Sequence, residues 1–146
     1  MKTILTPKQM YDQIFSVEEN YNPSAVREVD IAIVESRYLL PIVGERLYNA
    51  LLEGSYVELC NNYVAPMLGA WTRYVVEPLL AERCSAGHGA AAVDTELLAR
   101  LKMIASAASH RLSDYLNANV EKFSEYNPID NPLNHCSIDG NIVQIH

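Results

Sequence analysis

Along most of this chain apolar residues recur three and four positions apart, the spacing that lines one side of an α-helix. The clearest run follows Asp94: Leu97, Leu98, Leu101, Ile104, Ala105, Ala108, Leu112, Tyr115 and Leu116. It predicts one long helix to about Asn119, with Asp94 as its N-cap. Ala105, Ser106, Ala107, Ala108 and Ser109 are small enough to let a neighbouring helix come close. An earlier helix opens at Thr6-Pro7-Lys8-Gln9 and runs to about Phe15. There Thr6 can accept a backbone N–H, Pro7 tolerates the first helical position and Gln9 can reach back to close a capping box.

The polar stretch EENYNPS interrupts the pattern. Ser24 is then the expected cap of a second helix, with Val26, Val29, Ile33 and Val34 on its inner side and its end near Leu40. Pro41 lacks an N–H and disfavours helical geometry in the residue before it, so a corner is expected there. Gly44 punctuates the chain again before Leu47, Tyr48, Leu51 and Leu52 resume the helical spacing, and Gly54 suits the left-handed position at a helix end. Residues 56–64 and 67–83 predict a further long helical region, interrupted at Pro66 and distorted at Pro78. SAGHGAAAV reads as a connection.

Beyond Asn119 the character changes. FSEYNPIDNPLNHC carries two Asn-Pro breaks and little helical periodicity. Asp139-Gly140, set between β-prone residues, is a hairpin turn signal. An isolated hairpin is marginal in water and needs something to lie on. The pattern therefore predicts an all-α protein. A bundle of about five helices with Pro/Gly corners fills residues 1–122, and residues 123–146 form an extended C-terminal tail able to close as a β-hairpin.

Composition sharpens this picture. A chain of 146 residues, 49% of them hydrophobic, has the size and apolar content of one domain. A net charge of -7 and a pI near 5.0 argue against sequence-independent capture of nucleic acid, which needs Lys and Arg to displace counterions from phosphates. No run approaches the roughly 20 apolar residues of a membrane span. MKTILTPKQM is too short in apolar residues for a secretory signal, so a soluble, intracellularly made protein is expected. Cys60, Cys84 and Cys136, odd in number and widely spaced, suit free thiols in a reducing compartment.

Candidate chemistry is sparse. Gly87-His88-Gly89-Ala90-Ala91-Ala92 matches a glycine-rich nucleotide pattern on paper, but a helical segment precedes it where a strand is required. Cys84 with His88, and His135 with Cys136 and His146, are potential metal donors, yet neither cluster has the second pair that completes a four-ligand shell. Ser109 and His110 are neighbours on a helix, about 100 degrees apart, and cannot share a proton, whereas His110 and Asp114 can face each other. Glu121 and Glu125 read as solvated carboxylates. No catalytic, cofactor-binding or metal residue is assigned, and a non-enzymatic protein is expected. Of nine Tyr and one Trp against two Phe, most are expected at the margins of the helical core and the rest on surfaces that become partly buried on association.

The order of these features resembles the small all-helical head-to-tail connector proteins of tailed bacteriophages and prophages, also called adaptor or head-completion proteins. The resemblance lies in ESRYLLPIVGERLYNAL (residues 35–51), in Tyr63-Val64-Ala65-Pro66 leading to Trp71, and in Leu112, Tyr115 and Leu116 followed by Phe123-Ser124-Glu125-Tyr126. Ser124 stands where the family pattern has Pro, and the end of the chain after Asn134 has no counterpart in it. The resemblance implies a virion protein made in the host bacterial cytoplasm. It would be a homo-oligomeric ring between portal and tail proteins, with DNA at most passing through its channel. On that reading Pro41, Gly44, Leu47 and Tyr48 form a rigid structural corner. Phe123, Tyr126, Ile138, Ile142, Val143 and Ile145 are then expected to touch a neighbouring subunit or partner. The alternative is a small intracellular binding or regulatory module that uses a groove between helices beside Trp71 and Tyr48.

Overall fold

The computed structural model describes residues 2–15, 23–84, 94–135, 137–139 and 142–144. Apart from one pair of short strands, its regular structure is helical. Helix α1 (Pro7–Ile14) starts as its sequence dictates, since the Gln9 N–H donates to Thr6 Oγ1 and the Thr6 N–H donates to Gln9 Oε1. A 3₁₀ turn at Pro23–Ala25 precedes α2 (Glu28–Val34).

Here the expected face of the second helix is corrected. Ser24 lies in the 3₁₀ turn and the helix is capped at Arg27, whose N–H donates to the Asp30 carboxylate at 2.9 Å. Within this helix Ile31 and Val34 face inward while Val29 and Ile33 are exposed. Two carboxylates, Asp30 and Glu35, are also buried.

Pro41 does not end a helix. A π-helical turn over Glu35–Leu39 leads directly into α3 (Leu40–Leu52), with Pro41 in its first turn and the Leu40 N–H donating to the Glu35 carbonyl five residues back. A wider turn removes the carbonyl that the proline ring would strike, and the missing donor falls where a helix has no partner for it. Pro66 is accommodated in the same way. The short α4 (Val57–Leu59) passes into a π-helical turn at Cys60–Val64 and then α5 (Ala65–Val76), with Pro66 in its first turn. Pro78 lies in a 3₁₀ turn at Glu77–Leu79 ahead of α6 (Leu80–Cys84). The end of α3 follows expectation. Gly54 takes φ 91°, its N–H donates to the Leu51 carbonyl and the Ser55 N–H donates to the Ala50 carbonyl, the paired bonds of a Schellman motif.

The axis of the fold is α5. It packs along the last helix, α7 (Thr95–Ala118), and also receives α1 and α2. Met67, Leu68, Trp71 and Val76 from α5 join Met10, Ile31, Val34, Leu39, Leu47, Leu112 and Leu116 in one buried cluster. Gly69 sets how closely α1 can cross, because a Cβ there would sit 2.8 Å from Gln13 Cγ. Asp94 caps α7 by accepting the Leu97 N–H, as expected. Its inner side begins later than expected: Ala105, Ser109, Leu112, Ser113 and Leu116 are buried, while Ile104 is exposed.

After α7 the chain turns back in short 3₁₀ segments, Pro128–Asp130 and Pro132–Asn134, which lie against α3. Strands β1 (Ser137–Asp139) and β2 (Ile142–Gln144) pair antiparallel, with Ile138 opposite Val143. The glycine run 87–92 with His88, and Cys136, Gly140, Ile145 and His146, lie outside the described residues.

Candidate functional site

The stretch that carries the resemblance folds into an elbow. Its hinge is Gly44, at φ 80° and ψ 163°, a conformation that is nearly exclusive to glycine. Nothing lies within 4 Å of where a Gly44 Cβ would be, so the glycine is required by the backbone angle and not by close approach of another group. On either side Ile42, Val43 and Leu47 are buried, and Pro41 is exposed. The bend of this stretch lies at Gly44.

What locks the elbow is a residue that the apolar pattern passed over. Glu35, fully buried in the π-helical turn before the bend, accepts a hydrogen bond from Tyr48 Oη, after the bend, at 2.6 Å. Its other oxygen accepts the Ile4 N–H at 2.8 Å, which fixes the segment preceding α1. One carboxylate therefore ties three parts of the chain. Burial pushes the Glu35 carboxyl above its ordinary pKa, opposed by the bonds from Tyr48 and from the backbone of Ile4 and Leu5. Burial and the neighbouring Glu35 charge push the Tyr48 hydroxyl well above the usual phenol range. Cys60, half-buried nearby, is held in its thiol form by burial first and by Glu35 second, and so lacks the thiolate character of a reactive cysteine. The signal for Glu35 was its place at the head of ESRYLLP, on the same side of the chain as apolar neighbours.

A second buried carboxylate clamps the other end of α2. Arg83 in α6 binds Asp30 with both nitrogens, Nη1 to Oδ2 at 2.6 Å and Nη2 to Oδ1 at 3.1 Å, and Nη1 also donates to the Ala25 carbonyl at 3.0 Å. Such a bidentate pair fixes orientation as well as charge.

The groove expected beside Trp71 and Tyr48 has its polar handles occupied. Tyr38 stacks on Trp71 with ring centroids 3.8 Å apart, and Trp71 Nε1 donates to Ser109 Oγ at 2.7 Å. Ser109 thereby serves the α5–α7 contact, while His110 and Asp114 are exposed on the outer side of α7.

Phe123 and Tyr126 are corrected: both are buried within their own chain. Phe123 packs edge-on to Tyr56 with centroids 5.0 Å apart. Tyr56, held at φ 56° and ψ 55°, donates to the Glu125 carboxylate at 2.6 Å. That bond lowers the Glu125 pKa and raises that of Tyr56. Around Tyr126 a polar network zips the returning segment to α7. Tyr126 Oη donates to Asn117 Oδ1, Asn131 Nδ2 donates to Ser113 Oγ at 2.8 Å, and Asn117 and Asn134 exchange bonds at 2.7 and 3.0 Å. Asn127 and Asn131 each cap the 3₁₀ turn that follows, accepting the N–H of Ile129 and Leu133. The two Asn-Pro breaks are therefore paired capping turns, and the first part of the tail belongs to the bundle.

Among the described residues no group of three or more His, Cys, Asp and Glu side chains gathers into a metal-binding arrangement. His135 is exposed with Nε2 2.6 Å from the Ile129 carbonyl, a contact in which that nitrogen must be the donor. No helix among the described residues is long and apolar enough to cross a membrane. Comparison with models of known protein families, with curated proteins and with solved structures returns no match.

Proposed function

We propose that this chain is a structural subunit without catalytic activity, a ring-forming head-to-tail connector of a tailed phage or prophage, made in the bacterial cytoplasm and carried in the virion between portal and tail proteins. In this reading the bundle of about five helical rods is the body of the subunit. The C-terminal arm is reduced to the strand pair, so Ile138, Ile142, Val143 and Ile145 are the tail residues left to meet a neighbour. DNA passes through the ring without being gripped, which suits an acidic chain.

One observation carries the reading. The stretch that resembles the connector family, residues 35–51, is spent on an internally locked elbow, with Glu35 and Tyr48 closed on each other at 2.6 Å across the bend. A site built for chemistry would leave such a carboxylate aimed at a cavity. Here both oxygens of a fully buried group are occupied by the chain itself. The test is mass spectrometry of purified particles from the strain that carries the gene. The chain should be present in a fixed ratio to the portal protein. Particles with complete heads and tails that contain none of it would overturn the assignment.

A further inference from the structure

A cavity of about 310 Å³ opens between the start of α4, the end of α7 and the turn that follows it. Its inner lining is apolar, with Leu59 and Phe123 both buried. The half-buried rings of Tyr56 and Tyr115 also line it, packed against Phe123 with centroids 5.0 and 6.0 Å away. Tyr56 is the one non-glycine residue at positive φ among the described residues, a conformation that a Cβ opposes and that gathers at sites where a ligand is held. Its hydroxyl is fixed on the Glu125 carboxylate at 2.6 Å, so this ring is in place before anything enters. At the mouth stand one acid and one base, Glu58 and Lys122, both exposed. Among the described residues neither side chain has an ion pair or a hydrogen bond. We propose that this cavity binds a free aromatic α-amino acid, with its ring against Tyr56, Tyr115 and Phe123, its carboxylate toward Lys122 and its ammonium toward Glu58.

Rings and aliphatic groups with a few polar groups to orient the guest are the make-up of a small-ligand site, and such sites begin at about 300 Å³. The cavity is therefore of a size for one aromatic ring and a short polar head. A zwitterion is the class of head that answers both unpaired charges at once. An aromatic acid without the ammonium would meet Glu58 as a like charge, and an aromatic amine without the carboxylate would meet Lys122 as one. Burial of the ring supplies most of the affinity, while the two solvated charges select the head group and contribute little energy. The site does not rest on the connector reading, since none of its residues belongs to the stretch 35–51 that forms the elbow.

The test is an NMR titration of the full, isotope-labelled chain with L-phenylalanine. Amide signals of residues 56–59, 115 and 122–123 should shift saturably, with a dissociation constant on the order of 1 mM or below. Phenylpropanoate and phenethylamine, each lacking one of the two charges, should bind about threefold or more weakly, the worth of an exposed ion pair. L-Alanine, which lacks the ring, should not saturate. Lys122→Gln should weaken phenylalanine and strengthen phenethylamine, and Glu58→Gln should weaken phenylalanine and strengthen phenylpropanoate. Both positions are exposed, so circular dichroism should show the two variants folded. Absence of a saturable shift well above that concentration overturns the proposal. So do shifts centred on another part of the chain. Equally tight binding of N-acetyl-phenylalaninamide, which carries neither charge, also overturns it, because the cavity would then be a seat for a peptide side chain. None of these failures touches the connector assignment, which particle composition tests separately.

Discussion

Glu35 concentrates the physics of this protein in one side chain. A carboxylate is rarely buried unless its charge is answered by donors, and here the donors come from two segments, the one before α1 and the one beyond the bend. Glu35→Ala strands the Ile4 N–H and the Tyr48 hydroxyl, each costing about 1–3 kcal/mol when left unpaired in the interior. Glu35→Gln keeps the shape and removes the titration, so it isolates the charge. Since the folded-state pKa is raised above the ordinary 4.5, the native protein holds this proton to a higher pH than the unfolded chain does. The stability Glu35 contributes is therefore fullest below that ordinary value and is lost as pH rises through the shifted one. Denaturant titrations of both proteins at a series of pH values should show Glu35→Gln gaining on the parent as pH climbs. A difference that stays flat would mean the carboxyl titrates as it does in the unfolded chain.

At the scale of elements, the chain handles its breaks by two devices. Pro41 and Pro66 each follow a π-helical turn that lets the helical path continue. Gly44, by contrast, bends it through a backbone angle that a Cβ opposes. Because the space around a Gly44 Cβ is open, Gly44→Ala should cost only backbone strain, about 1–3 kcal/mol, read as a lowered denaturant midpoint with an unchanged slope. A loss within a few tenths of a kcal/mol would show that the elbow relaxes to another angle. The helix punctuation was legible at Thr6, Gly54 and Asp94, where a cap depends on residues three or four positions away. It was misread at Ser24, because the choice between Ser24 and Arg27 turns on Asp30, and Asp30 is drawn inward by Arg83 from far along the chain. Val29 and Ile33 lie at the surface and Glu35 in the core because α5 and the segment before α1 decide which side of α2 and the turn after it is covered.

For the whole molecule, the returning segment 123–135 decides where the domain ends. Its polarity predicts an extended tail, and its asparagines are spent on Tyr126, Ser113 and Asn117. Buried amides satisfied in this way hold a segment as firmly as apolar contact does. Asn131→Ala removes the bond to Ser113 and the cap on Leu133 together. It should cost about 1–3 kcal/mol and speed hydrogen exchange in residues 123–135 ahead of the rest. Exchange that rises uniformly would mean the segment unfolds only with the whole bundle.

The sequence by itself determined what depends on near neighbours: helical character, the caps at Thr6 and Asp94, the stop at Gly54 and the Asn-Pro breaks. It could not decide which carboxylates are interior, which half of α7 is covered, or that Phe123 and Tyr126 turn inward. Those depend on partners such as Glu35 with Ile4, 31 positions apart, and Tyr56 with Glu125, 69 apart. Burial and pairing at that distance exist only once the chain has closed on itself. A pattern read a few residues at a time carries no information about them.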